Sequence, residues 1–128
     1  MPRTEVVYFR EADGRVPVLE WLKELGDTNE KAFARCMVRI ERLEEAGHEL
    51  RRPEADSVRD GIHELRARQG RANYRILYFF HGRNVAILAH ALTKEKEVPN
   101  VDIERAIRRR DMFVANPDLH SYDTESEP

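Results

Sequence analysis

The chain has 128 residues and a formal net charge of −2, from 22 lysines and arginines against 24 aspartates and glutamates. That length suits one compact domain whose core needs no disulfide or metal staple, and the single cysteine, Cys36, excludes an internal disulfide, so a reducing cytoplasm is the expected compartment. No cysteine–histidine spacing matches a zinc site, no signal peptide is read in MPRTEVVYFREADGR, and no run approaches the roughly 20 apolar residues of a membrane span.

In chain order, TEVVYFR (4–10) is rich in β-branched and aromatic residues and ends at the Asp13-Gly14 turn, so it reads as a first strand. VPVLEWLKELG (16–26) reads as a helix: Pro17 suits a first helical position, Val18, Trp21, Leu22 and Leu25 follow helical spacing, and Gly26 is expected to stop it. A second helix starts at Asp27, three residues before Glu30 in a capping-box-like pair. Its apolar stripe is Phe33, Cys36, Met37, Ile40 and Leu43, and it ends near Gly47. Cys36 within that stripe reads as core packing rather than a nucleophile.

RRPEADSVRDG (51–61) is polar, holds Pro53 and reads as a surface loop. Three strands follow, IHELRAR (62–68), ANYRILYFFH (72–81) and NVAILAHAL (84–92), separated by short glycine turns that imply an antiparallel meander. After the loop TKEKEVPN comes a helix, VDIERAIRRRDMF, with Ile103, Ala106 and Ile107 inward. The acidic end, 115–128, is expected to be a flexible tail behind a single domain, 1–114. The order β-α-α-β-β-β-α predicts a two-layer α+β fold, with an antiparallel sheet packed against the two N-terminal helices and its other face open to water.

Charge is unevenly spread along this order. Residues 59–110 carry 12 basic and 6 acidic side chains, between a segment 1–58 with 10 against 13 and a segment 111–128 with none against five. A basic middle suits a polyanion on one face. Side chains alternate across a strand, so Tyr74, Ile76, Tyr78 and Phe80 share one side and read as the core row, while Arg75 falls on the other with Leu77. On the preceding strand Glu64, Arg66 and Arg68 share a side. If that side also bears Arg75, a cationic groove forms in which Glu64 can orient either arginine. Strand arginines also serve as guards against edge pairing or as partners for glutamates across strands, so parity alone leaves both readings open.

HELRARQGRANYRILYFF, followed by an apolar strand, HALTKEKEVP and DIERAIRR, resembles the RelE/HigB superfamily of type II toxin–antitoxin toxins, in its phage-derived HigB-like branch. The resemblance covers roughly residues 17–113. It implies a metal-independent endoribonuclease without cofactor that cleaves messenger RNA on the ribosome, held inactive by a cognate antitoxin of helix-turn-helix type. Cleavage of RNA requires the 2′-hydroxyl to lose its proton, the extra phosphorane charge to be stabilised and the 5′-oxygen to gain a proton. Arg66 and Arg75 suit the charge stabilisation, being permanently cationic with forked donors. Proton transfer falls to Lys94, Lys96 or His90. His63 shares the parity of Leu65 and so belongs to the core side. Arg68, Arg108 and Arg109 suit phosphate contacts, which position RNA without reading bases. Two other functions fit the same order: a ParE-like toxin that inhibits a topoisomerase, and a non-catalytic module that binds nucleic acid or antitoxin. Acids interleave the lysines of TKEKE, a departure from the adjacent lysines common in the superfamily, and this leaves the general base unassigned.

Overall fold

A computed structural model describes residues 3–93 and 97–123. Six strands and three helices occur in the order β1 (Glu5–Phe9), α1 (Pro17–Thr28), α2 (Glu30–Ala46), β2 (Ala55–Arg59), β3 (Ile62–Gln69), β4 (Ala72–Phe80), β5 (Val85–Thr93), α3 (Asn100–Ala115) and β6 (Ser121–Tyr122). They form one mixed α+β sheet in the order β2-β3-β4-β5-β1-β6. The meander β3 to β5 is antiparallel as expected and β2 extends it, but β1 joins β5 in parallel, so the sheet is mixed rather than purely antiparallel.

Two elements were not expected. Residues 55–59, read as surface loop, form the edge strand β2 and hairpin onto β3 through Asp60 and Gly61. Both turn residues have positive φ, +52° and +79°, the backbone of the tight primed turns that match strand twist. Within the acidic end, Ser121 and Tyr122 pair with β1, and His120 is buried with its ring stacked on Phe9 at 5.1 Å. Residues 124–128 lie outside the described residues.

The helix boundaries also shift. Gly26 does not stop α1, which continues to Thr28. Asn29 does the work assigned to Asp27: its N–H donates to Leu25 O at 2.7 Å, closing α1, and its side chain accepts from the Ala32 N–H at 3.1 Å, opening α2. One residue thus satisfies groups at two helix ends.

Alternation on β4 divides the core as its sequence dictates. Tyr74, Ile76 and Tyr78 face α1 and α2 and pack with Leu22, Cys36, Ile40, Leu43 and Leu65. Leu77 and Phe79 face the opposite way, onto Ala106 and Phe113 of α3. Full burial of each such side chain contributes about 1.5–3 kcal/mol. The second face is therefore not fully open. The third helix lies on β5 and β4, and the β2–β3 end of that face carries a cleft. A bulge in β5 opposite Leu77 and Tyr78 sets one further direction. The extra residue lets Ile87 and His90 both face α3, which strict alternation forbids.

Replacing Asn29 with alanine is expected to lower stability by about 1 kcal/mol through loss of the cap. Gly47 has a φ of +54°, and a Cβ there would run into the Thr4 hydroxyl, so Gly47→Ala is expected to cost about 2 kcal/mol or more. Urea midpoints of the two variants against the parent chain check both values.

Candidate functional site

Antiparallel pairing of β3 with β4 places Arg66 opposite Arg75 and Glu64 opposite Leu77. The condition for a cationic groove is thus met: Glu64, Arg66 and Arg75 share the α3 side of the sheet. Two arginines directly opposite each other repel. Glu64 resolves the conflict, because its Oε1 lies 2.8 Å from Arg75 Nη1 and 3.1 Å from Arg66 Nε. One carboxylate oxygen serves two guanidinium groups, and the trio keeps a net positive charge. The Glu64 and Arg75 side chains are only 7% and 9% exposed, whereas Arg66 is 37% exposed and reaches solvent.

Arg66 is fixed by its backbone as well. Its N–H donates to Glu54 O at 2.8 Å, and its carbonyl accepts from Arg39 Nε of α2 at 2.7 Å. Glu54 in turn holds Arg42 at 2.9 Å. The helices on the far side of the sheet thus set the position of the cleft arginine.

The trio lies in a cleft of about 550 Å³ between the β2–β4 end of the sheet and the start of α3. Arg52, Asp56 and Ser57 form one wall, and Glu97, Val98 and Ile103 form the other. Arg52 pairs with Asp56 at 2.8 Å, and this contact draws the Asp56 carboxyl below its ordinary range. Arg59, also lining the cleft, bonds Asn100 at the first position of α3. Four arginines thus face three carboxylates across the cleft.

Not every residue expected at the site is there. His90 stands on the α3 side in the row Glu64–Leu77–His90, two strands from Glu64 and so about 10 Å away. Its Nε2 contacts Asp102 Oδ1 at 2.7 Å, and its Nδ1 lies 3.4 Å from Arg109 Nη1. Since a guanidinium only donates, Nδ1 accepts and Nε2 carries the proton toward Asp102. Both ring nitrogens are committed under α3, which leaves none for a proton shuttle.

Arg109 is turned inward rather than toward a phosphate. It donates to Ala89 O at 2.8 Å, pairs with Glu11 at 3.2 Å and lies over the Phe9 ring. Arg108 is exposed on the outer face of α3. Arg68 is exposed at the hairpin end and donates to Gly70 O at 3.1 Å, away from the cleft walls. Lys94 and Lys96 lie outside the described residues, on the segment between Thr93 of β5 and Glu97. Sequence reasoning missed the wall formed by Arg52 and, on β2, by Asp56. The Asp60-Gly61 pair was the available signal, because that dipeptide marks a tight hairpin with a strand on each side.

This arrangement can hold an anion: fixed forked donors, one deep and one near solvent, with apolar flooring from Val98 and Ile103. Among the described residues no three metal-ligating side chains gather, and no helix is long and apolar enough to cross a membrane.

The family model described as Phage derived protein Gp49-like (DUF891) matches residues 20–111, and the chain belongs to that family, which is associated with toxins of toxin–antitoxin systems. No curated protein matches the chain significantly. The match runs from α1 into α3 and so contains every cleft residue named above.

Removing Glu64 strands two cations beside each other, one of them buried, and Glu64→Ala is expected to cost about 3–5 kcal/mol in chemical denaturation. Arg66→Ala, at a site more than a third exposed, is expected to cost far less. Burial holds the His90 imidazole below its ordinary 6.5 despite Asp102, and burial does the same for His63. The unfolded chain therefore binds more protons as pH falls below about 6.5. Stability is expected to be full above that pH and to decline below it. Urea midpoints between pH 7.5 and 5 check this, with a shallower decline expected in His63→Gln.

Proposed function

We propose that this chain is the toxin of a type II toxin–antitoxin system, of the RelE/HigB superfamily in its HigB-like branch, and that it cleaves messenger RNA on the ribosome without a metal ion. Membership of a toxin-associated phage-derived family supports the first part. The observation that carries the second is the shared carboxylate: Glu64 holds the Arg75 and Arg66 forks side by side at the cleft.

In this reading the scissile phosphate sits between the Arg66 and Arg75 guanidiniums. The 2′-hydroxyl gives up its proton to a base as its oxygen bonds to phosphorus, the phosphorane gains one negative charge, and the P–O5′ bond breaks as the 5′-oxygen takes a proton, leaving a 2′,3′-cyclic phosphate and a 5′-hydroxyl. The two guanidiniums are already oriented when that charge develops, so stabilising it requires little reorganisation. Proton transfer is assigned to Lys94 or Lys96, on the segment that leads into the cleft-lining Glu97. Committed on both nitrogens, His90 is reassigned from chemistry to holding α3. Phosphates on either side of the cut are assigned to Arg68 and Arg108, both exposed. The cognate antitoxin, of helix-turn-helix type, would silence the toxin in the cytoplasm by offering carboxylates to the same cleft.

Purified chain added to a translating extract is expected to produce new RNA 5′ ends, and chelation of divalent ions before assay of a naked RNA should leave its cleavage intact. Arg75→Lys keeps a buried cation but loses the fork, and is expected to lower the cleavage rate by about 10²–10³-fold with an unchanged circular-dichroism spectrum. Arg66→Ala should act in the same direction. Intact message in the extract, or full activity in Arg75→Lys, overturns the nuclease reading. Supercoiling inhibition that survives both changes would point instead to a topoisomerase inhibitor.

A further inference from the structure

A second pocket, of about 540 Å³, lies on the other face of the sheet, beyond the C-terminal end of α2. The chain turns there through Gly47–Glu49 and leaves the β2–β3 corner uncovered by either helix. The pocket walls are aromatic. The His48 ring lies flat on Phe80 at 3.6 Å, and His63 stacks on Tyr78 at 5.3 Å and meets Phe80 edge-on at 5.4 Å. His48 is exposed, so with one face of its ring on Phe80 the other is free to stack.

Three ring-borne polar groups here make no hydrogen bond among the described residues. Tyr78 is 98% buried by its 2% exposure, lines the pocket, and its hydroxyl has no hydrogen-bond partner among the described residues. Neither imidazole, of His48 or His63, has one either. Beside them, Arg51 is braced at the rim by donating to the His48 and Leu50 carbonyls at 2.5 and 3.3 Å. The Tyr78 hydroxyl is not one of the buried unpartnered atoms, so it opens onto the pocket, and a polar group that faces a pocket without a protein partner is available to a ligand.

The two sites are neighbours. Arg52, Asp56 and Ser57 line both this pocket and the arginine cleft, so the edge strand β2 is a shared wall only one strand wide. We propose that the pocket is a nucleotide subsite: single-stranded RNA leaving the cleft passes over β2 and seats one nucleotide there, its base on His48 and its phosphate on Arg51. Within the pocket the Tyr78 hydroxyl and the His63 ring meet the polar edge of the base. Aromatic stacking of this kind binds bases with little sequence demand, and the volume suits one nucleotide. The proposal rests on the RNA reading given above.

The test uses the full chain with adenosine monophosphate as probe, read by the imidazole resonances of His48 and His63. Both are expected to shift saturably, and His48→Ala, a change at an exposed residue, should weaken binding about tenfold. Tyr78→Phe, which keeps the core volume, should weaken it by a smaller factor. In cleavage assays His48→Ala is expected to raise KM about tenfold for a 12-nucleotide RNA with kcat unchanged, and to leave cleavage of a dinucleotide unchanged. Unmoved histidine resonances at millimolar nucleotide overturn the proposal, as does an unchanged KM for the longer RNA in His48→Ala. Shifted resonances in a chain that cuts no RNA would uphold the nucleotide pocket while removing the nuclease reading.

Discussion

A single carboxylate oxygen between two guanidinium groups is the constraint on which the cleft depends. Cross-strand register forces Arg66 and Arg75 to face each other, an arrangement that repels unless an anion lies between them. Glu64 sits two residues before Arg66 on the same face of β3 and diagonal to Arg75, the position from which one side chain reaches both. Because it is buried, its attraction is little screened. Shared between the two guanidiniums, it relieves their repulsion and fixes both at the cleft.

The walls of the cleft are tied by polar contacts as well as by packing. On one side α2 grips β3 through Arg39 and the Arg66 carbonyl. On the other, Arg59 of β2 bonds Asn100 at the start of α3, and the Arg110 guanidinium bonds the Asp60 carbonyl in the β2–β3 turn. Beneath α3, the chain of contacts Glu11–Arg109–His90–Asp102 anchors the helix over β5. The helix is therefore held where its first turn lines the cleft but does not cover it. The histidine that sequence alone marks for chemistry is part of this anchor.

Where local periodicity decides the structure, the sequence was legible. The rows on β4, the common face of Glu64, Arg66 and Arg75, the α2 stripe and the meander all follow from alternation and helical spacing. Three features escaped for separate physical reasons. The β2 strand is an edge strand with one interior position, Ala55, and so shows no apolar alternation; only its Asp-Gly turn announces it. His90 reaches the α3 face through a bulge, and a one-residue slip cannot be seen in a period-2 pattern. Arg109 lay in plain view: it is three residues after Ala106 and four before Phe113, on the buried stripe of α3, but a run of three arginines suggested a solvated face. Its partners, Glu11 and the Ala89 carbonyl, are distant in the chain, and only the tertiary fold makes its burial tolerable.

Overall charge is a poor guide to what such a domain binds. The chain is acidic in total, yet its acids on α1 and α2 are mostly exposed, where water and salt weaken their reach to within about 10 Å. Arg75 and Glu64, by contrast, act from within the protein at hydrogen-bond distance from one another. Any group entering the cleft meets the field of its nearest lining side chains, four arginines and three carboxylates, and the arginines stay charged across the biological pH range. The imidazoles, which do titrate there, sit elsewhere: His90 under α3 and His63 behind the sheet. Binding charge and pH-sensitive packing are thus carried by different residues, separated by the strands themselves.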